Sequence, residues 1–316
     1  STQSRSSAAS DVYKRQVEAV LIFVPHRQMP AAVEQAVRAG KHVMVEKPMC
    51  ADVEGARRVV RLAESTRLKV TTGYYWRYDP LAVRTKQWIR DGLLGEIVHL
   101  LGRMNAQGAW RYVRDNAPWM LEAEQRGGPM FNLGVHWIDL FHWLTGLEVT
   151  AVCGATNCFG GDPPRTIEDN ASALLQYDNG AVGLLDVSYA VPLNYPRGRD
   201  LFISIRGTKG CVEWRPSLGG EQNVATLVSD HESMASQKVL RCEESRPEAP
   251  GYCGQMGIDA LADWARAIRE DRPVSVPVHD GLRAVLVADA VLRSAAVRRR
   301  IELPEHKDAA SPESPA

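Results

Sequence analysis

The chain has 316 residues, 45% hydrophobic and 24% charged, which suits a soluble protein of two domains with separate cores. Lys and Arg together number 38, as do Asp and Glu, so the formal net charge is zero. That balance argues against a basic surface for nucleic acid or for an anionic membrane.

Ser1 to Gln16 is polar and aperiodic, and it abuts a buried-type strand without turn chemistry. Asp11-Val12-Tyr13-Lys14-Arg15-Gln16 reverse-translates to a transposon end used in DNA fragmentation, so residues 1–16 are expected to be a non-native tail. Ala19 to Val24 is a continuous apolar run, the pattern of a strand buried on both faces. Pro30 opens a helix that Gly40 closes, and His42 to Glu46 forms a second short strand. Asp52 caps a helix to about Thr66, Leu68 to Thr72 is a third strand, and Asp79-Pro80 starts another helix. Strands alternating with such helices imply a parallel α/β sheet with right-handed crossovers. No G-x-G-x-x-G turn is present. Residues 17–95 are therefore expected to be the second half of a doubly wound Rossmann sheet whose first half, about 60 residues, has been cut away.

From Glu96 onward the segments 96–103, 149–158, 170–177, 180–190, 200–206 and 210–214 are short and β-rich, with turn signals at Asp178-Asn179-Gly180 and Gly207-Thr208-Lys209-Gly210. They predict an α+β domain over 96–303 with an open, mainly antiparallel sheet. Helices near 129–144, 255–270 and 280–298 would cover one face. An apolar face left bare marks a partner surface, so a homo-oligomer, dimer or tetramer, is expected. Residues 304–316 are expected to be disordered. The 6 scattered cysteines lack a CxxC pair or metal-ligand spacing and read as reduced thiols, with no metal site. No apolar run reaches bilayer length, and the expected compartment is the cytoplasm.

Ligands of open α/β sheets bind at the carboxyl ends of the strands. Val24, Pro25, His26, Glu46, Lys47, Pro48 and Arg77 gather there and are the expected cofactor-contacting residues. Lys47 would also place a positive charge beside a substrate oxygen; a solvated loop lysine is the plainer alternative. Gly127 to Leu144 reads as a buried helix carrying three polar side chains on one stripe. At about 100° per residue, His136 and Asp139 fall about 40° and 20° to either side of Asn132. Burial without partners would cost roughly 1–3 kcal/mol each, so they meet one another or a polar cavity. His136 titrates near neutrality and is the candidate acid/base. Trp110 and Arg111, in a loop before this helix, could contact a polyhydroxylated ligand.

On Ala39 to Met49 (AGKHVMVEKPM), GYYWRYDP with LGEIVH, GGPMFNLGVHWIDLFHWLTG, EDNASALLQYDNGAVGLLD and RGTKGCVEW, the chain resembles the Gfo/Idh/MocA oxidoreductases. The resemblance runs from about Val17 to Leu303. It implies hydride transfer between NAD or NADP and a hydroxyl-bearing carbon of a sugar, sugar derivative or cyclitol. It also implies that Lys47 is the catalytic lysine and His136 the acid/base histidine. The family often has Asp four residues before that His; Asn132 stands here, and it can orient a hydroxyl but not exchange a proton. An NAD-dependent glycosidase-like enzyme and a non-enzymatic sugar or nucleotide sensor use the same scaffold. Without the glycine turn, weak NAD(P) binding is expected.

Overall fold

The computed structural model describes residues 17–304 apart from 193, 196, 197, 218–221, 246–248 and 252. The expectations for residues 1–16 and 305–316 lie outside the described residues. Three parallel strands come first, β1 (Ala19–Ile22), β2 (His42–Val45) and β3 (Val70–Thr72), side by side in that order. Helix α1 (Met29–Arg38) links β1 to β2, and α2 (Val53–Glu64) links β2 to β3. As read from sequence, Asp52 caps α2, its Oδ1 accepting from Gly55 N at 2.7 Å. The free edge of β1 is apolar, with Leu21 45% and Phe23 51% exposed. The opposite edge is closed by a later segment: Thr71 Oγ1 donates to Val276 O at 2.7 Å, and Thr72 N to the same oxygen.

Helix α3 (Pro80–Arg90) leads into the second sheet. Its cap Asp79, fully buried, accepts from Leu81 N and from Asn223 Nδ2, so one carboxylate fastens the helix start to a strand far along the chain. The second sheet has nine strands, in the order β11-β10-β9-β8-β4-β7-β6-β5-β12. They are β4 (Ile97–Ala106), β5 (Val149–Asn157), β6 (Asn170–Tyr177), β7 (Val182–Ser188), β8 (Arg199–Gly207), β9 (Gly210–Arg215), β10 (Gln222–Ser229), β11 (Val239–Ser245) and β12 (Ile301–Glu302). Every pairing is antiparallel except β4 with β7. Both expected turns are present: Gly180 takes φ +87° between β6 and β7, and Thr208-Lys209 alone joins β8 to β9.

Helices α4 (Ala109–Arg114), α5 (Val135–Thr145), α6 (Gly254–Arg269) and α7 (Val278–Val297) complete the fold. Helix α7 packs on β5, α2 and α5, so it touches elements from both sheets. Two readings are corrected. Trp110 and Arg111 lie on α4 rather than in a loop. The helix expected from residue 129 begins as a π turn, Met130–Gly134, before becoming regular α5. Among the described residues, no helix is long and apolar enough to cross a membrane.

Candidate active site

Lys47 leaves the carboxyl end of β2 through Glu46, and Pro48 follows across a cis peptide. Pro48 has no N–H to continue a strand ladder, and β2 ends before it. Lys47 is 5% exposed, and its Nζ donates to both Asn132 O and Asn132 Oδ1 at 2.9 Å. An ammonium has three donors and no acceptor, so this pairing fixes the amide orientation of Asn132. The amide nitrogen must then donate: Asn132 Nδ2 reaches Tyr189 Oη at 2.8 Å and also the Tyr112 hydroxyl. Tyr112 donates to Tyr189 Oη at 3.1 Å, and Tyr189 to Gly127 O at 2.8 Å. A continuous network thus runs from Lys47 through Asn132 to the tyrosines of α4 and of the end of β7.

Asn132 belongs to the π turn, a wider winding that often accompanies functional sites. The turn starts under a carboxylate: Glu168 Oε1 accepts from Met130 N at 3.1 Å, favoured by the positive end of the helix dipole. Gly128 makes this possible, since a Cβ there would lie 2.2 Å from Glu168 Oε2.

His136 is in the first turn of α5 and is only partly covered. Its Nδ1 is enclosed without a hydrogen-bond partner among the described residues, as is the Tyr74 hydroxyl. The Tyr74 ring meets the imidazole edge-on, centroids 6.3 Å apart. Burial holds His136 well below the usual histidine range, and the charges of Lys47 and Arg199 push the same way. The neutral imidazole is therefore the resting form. Burial likewise lowers Lys47, with the Glu46 carboxylate opposing and Arg111 and Arg199 adding to the fall.

The expected polar stripe divides. Asn132 and His136 are each half-buried, but Asp139 is 3% exposed and its carboxylate is held by Arg77. Arg77 Nε donates to Asp139 Oδ2 at 2.9 Å, and Arg77 Nη2 reaches both Asp139 Oδ1 and Asp280 Oδ2. Arg283 Nη1 donates to Asp280 Oδ1 at 2.6 Å and Arg283 Nε to Glu148. The π turn contributes to the split, since the even step of about 100° assumed for the stripe fails across it. The cofactor reading of Arg77 is corrected by the same contacts: the residue is 6% exposed and its guanidinium is engaged in ion pairs that tie the 3-10 turn after β3 to α5 and α7.

The other expected cofactor residues sit at the strand ends. Val24 and half-buried Pro25 lead into a 3-10 turn. His26 is buried and makes no cap bond to the helix that follows. Its ring Nδ1–H donates to Gln125 O at 2.9 Å, and it packs edge-on against Trp119, while Arg27 Nε donates to Glu124 O. Glu46 accepts from Tyr75 Oη at 3.2 Å. Trp110 is 55% exposed, and Arg111 pairs loosely with Asp115 at 3.4 Å. Sequence reasoning missed Tyr74, Tyr112, Tyr189 and Arg199. Nothing in their local pattern separates them from packing tyrosines or a strand-end arginine.

These residues suit the nicotinamide end of a dinucleotide: a buried lysine at a parallel-sheet edge and a neutral histidine with an enclosed, unpartnered nitrogen. The chain has no glycine-rich turn for a pyrophosphate.

Comparison with known proteins gives a consistent picture. Residues 4–74 match the oxidoreductase family's NAD-binding Rossmann fold, and residues 86–303 its C-terminal alpha/beta domain. The chain is 23% identical to levoglucosan dehydrogenase of Pseudarthrobacter phenanthrenivorans, covering 92% of this chain and 80% of that protein. It is 24% identical to inositol 2-dehydrogenase of Rhizobium meliloti, covering 91% and 81%. In structure it superposes on levoglucosan dehydrogenase in complex with NADH and levoglucosan with a TM-score of 0.80 at 20% identity, over 94% of this chain and 83% of that one. On aldose-aldose oxidoreductase from Caulobacter crescentus the TM-score is 0.74 at 25% identity, over 93% and 83%. The family match spans most of the length, and the chain belongs to the Gfo/Idh/MocA oxidoreductase family.

Proposed function

We propose that this protein is a cytoplasmic NAD(P)-dependent dehydrogenase acting on a hydroxyl-bearing carbon of a sugar, sugar derivative or cyclitol. The observation that carries the reading is the pairing of Lys47 on the two oxygens of Asn132, together with the neutral His136, whose Nδ1 has no hydrogen-bond partner among the described residues. The relatives named as levoglucosan and inositol dehydrogenases support the substrate class. When bound, NAD(P) supplies the acceptor for the hydride that leaves the carbon. His136 takes the hydroxyl proton. Lys47 has three N–H donors, of which Asn132 occupies two, leaving one for the oxygen that becomes negative as the proton departs. Asn132 fixes the lysine head and is itself fixed by Tyr112 and Tyr189, so little reorganisation accompanies the charge shift. Trp110 and Arg111 on α4 belong, on this reading, to the substrate side. Residues 17–95 carry the cofactor side, and residues 96–303 carry the substrate side and self-association.

His136→Ala tests the assignment. Turnover should fall roughly 10²–10⁴-fold while NAD(P) affinity holds. Activity and thermal melting are read on the same samples, against a panel of sugars and cyclitols with both cofactors. A destabilised variant with normal turnover per folded molecule would end the acid/base role.

A further inference from the structure

The connection between β5 and β6 ends in a short stretch, Thr166 to Asp169, whose hydrogen bonds converge on the π turn. Thr166 N donates to Leu121 O at 3.0 Å, and Thr166 Oγ1 accepts from Ala123 N at 2.8 Å, in the segment that leads into the turn. Glu168 Oε1 accepts from Met130 N, the first residue of the turn itself. Asp169 O accepts from Tyr189 N at 2.8 Å, and the Tyr189 hydroxyl lies against both Asn132 Nδ2 and Gly127 O. The stretch is thus bonded to the lead-in of the turn, to its first residue, and to the tyrosine that holds its one polar side chain.

Of these contacts only that of Glu168 uses a charged side chain, and a charged acceptor makes the stronger hydrogen bond. The fit around it is close. The three atoms nearest a Cβ built on Gly128 are Glu168 Oε2, Cδ and Oε1, at 2.2, 2.3 and 2.4 Å. Asn132 is two residues beyond Met130, and its backbone N donates to Gly128 O at 3.0 Å, so Gly128 and Met130 together set where Asn132 stands. That placement matters to Lys47. One of its two acceptors is the backbone carbonyl of Asn132, which no side-chain rotation can re-aim. Its direction is set by the turn.

We propose that Glu168 is a positioning residue for the reaction: its carboxylate holds the π turn so that both oxygens of Asn132 meet Lys47, and so aims the remaining N–H of the lysine at the substrate oxygen. The proposal rests on the dehydrogenase reading and adds to it a residue that touches neither substrate nor cofactor.

The test combines steady-state kinetics with acetylation of Lys47 by a limiting amount of acetic anhydride, read by mass spectrometry of the Lys47 peptide. Melting curves on the same samples establish that each variant is folded. Glu168→Ala should lower kcat roughly 10–100-fold, the usual cost of a misplaced catalytic group, with KM and NAD(P) affinity changed far less. Lys47, released from Asn132, should be acetylated about tenfold faster. Glu168→Gln keeps an oxygen for Met130 N and should recover most of both losses. Gly128→Ala pushes the carboxylate aside without removing it and should reproduce the Glu168→Ala pattern. Because both act through one contact, the double variant should be no worse than Glu168→Ala alone. Should Glu168→Ala fail to fold, Gly128→Ala carries the test. Unchanged Lys47 acetylation in a folded variant, a loss confined to KM, or losses that add in the double variant would overturn the proposal. Acetylation needs no turnover, which separates the two readings. Faster acetylation of Lys47 with no NADH or NADPH formed from any sugar or cyclitol sinks the dehydrogenase and leaves the hold of Glu168 on Lys47 standing. Normal kcat in Glu168→Ala sinks only the positioning role.

Discussion

Arg77→Met removes a buried guanidinium held between two carboxylates, and the cost can be worked from what each acid has left. Asp280 keeps Arg283 Nη1 at 2.6 Å. Asp139 accepts side-chain hydrogen bonds only from Arg77 among the described residues, and it is 3% exposed. An isolated buried carboxylate takes up a proton rather than stay charged. Burial already raises Asp139 to about 6 in the intact protein, with Arg77 opposing. Keeping it neutral at pH 7 once Arg77 is gone costs about 1.4 kcal/mol per unit over roughly one further unit, or about 1.4 kcal/mol. In the variant the folded-state pKa of Asp139 rises further above its unfolded value. The stability difference is therefore small below about pH 6 and grows as pH rises. Urea unfolding followed by tryptophan fluorescence should show a gap of about 1.4 kcal/mol at pH 7 and almost none at about pH 5. Adding Asp139→Asn to Arg77→Met should recover most of the loss at pH 7. A gap that does not change with pH, or a loss below about 1 kcal/mol at pH 7, would refute the assignment of Arg77 to the ion-pair network.

His26 is pushed down to about 4 by burial, with the Lys47 charge adding, so the fold favours its neutral ring. Its depressed value means that stability present above about pH 6.5 is lost as pH falls through 4, by about 3 kcal/mol, and His26→Gln should remove that dependence in acid unfolding titrations. Asn132→Asp places a negative charge one turn from His136. At about 6 Å and an effective dielectric of about 20 it should raise the histidine pKa by up to about two units, moving the acidic limb of the pH–rate profile upward. An unchanged limb would count against His136 as the titrating group. The open face of the second sheet holds a trough of about 510 Å³ lined by Leu101, Leu174 and Leu184, with Leu174 45% and Leu184 43% exposed. Self-association through it should give a dimer or larger by light scattering at micromolar concentration, and Leu184→Asp should yield monomer.

Much of this was legible in the chain itself. The apolar run at Ala19 to Val24 and the alternation with helices announced a parallel sheet, although the run is not covered on both faces: β1 is an edge strand, with Leu21 and the following Phe23 exposed. Pro129 and Gly146 bracketed the helix of His136, and Gly146 does take φ +74° at its end. Lys47 stood out because Pro48 stops the strand at the sheet edge. The pattern failed where the outcome depends on distant partners. The π turn has no signature in a single sequence, and it accompanies the separation of Asp139 from Asn132 and His136. Strand β11 carries Arg241, Glu243 and Glu244 and reads as a loop until β10 is there to pair with it. Arg77 resembled a ligand contact because it follows a parallel strand, but its partners lie 62 and 203 residues away.

The occupied valences of Lys47 bear on stereochemistry. With two of its donors committed to one residue of a rigid turn, the remaining N–H points along a single direction relative to α5, and His136 is carried by the same helix. A hydroxyl that meets both must stand on one side of its carbon, with the C–H on the other. Axial and equatorial epimers of one ring place these two groups in opposite senses. On the proposed roles of Lys47 and His136, the configuration of one carbinol counts for more than the identity of the ring, and rings that share that configuration should compete for the site.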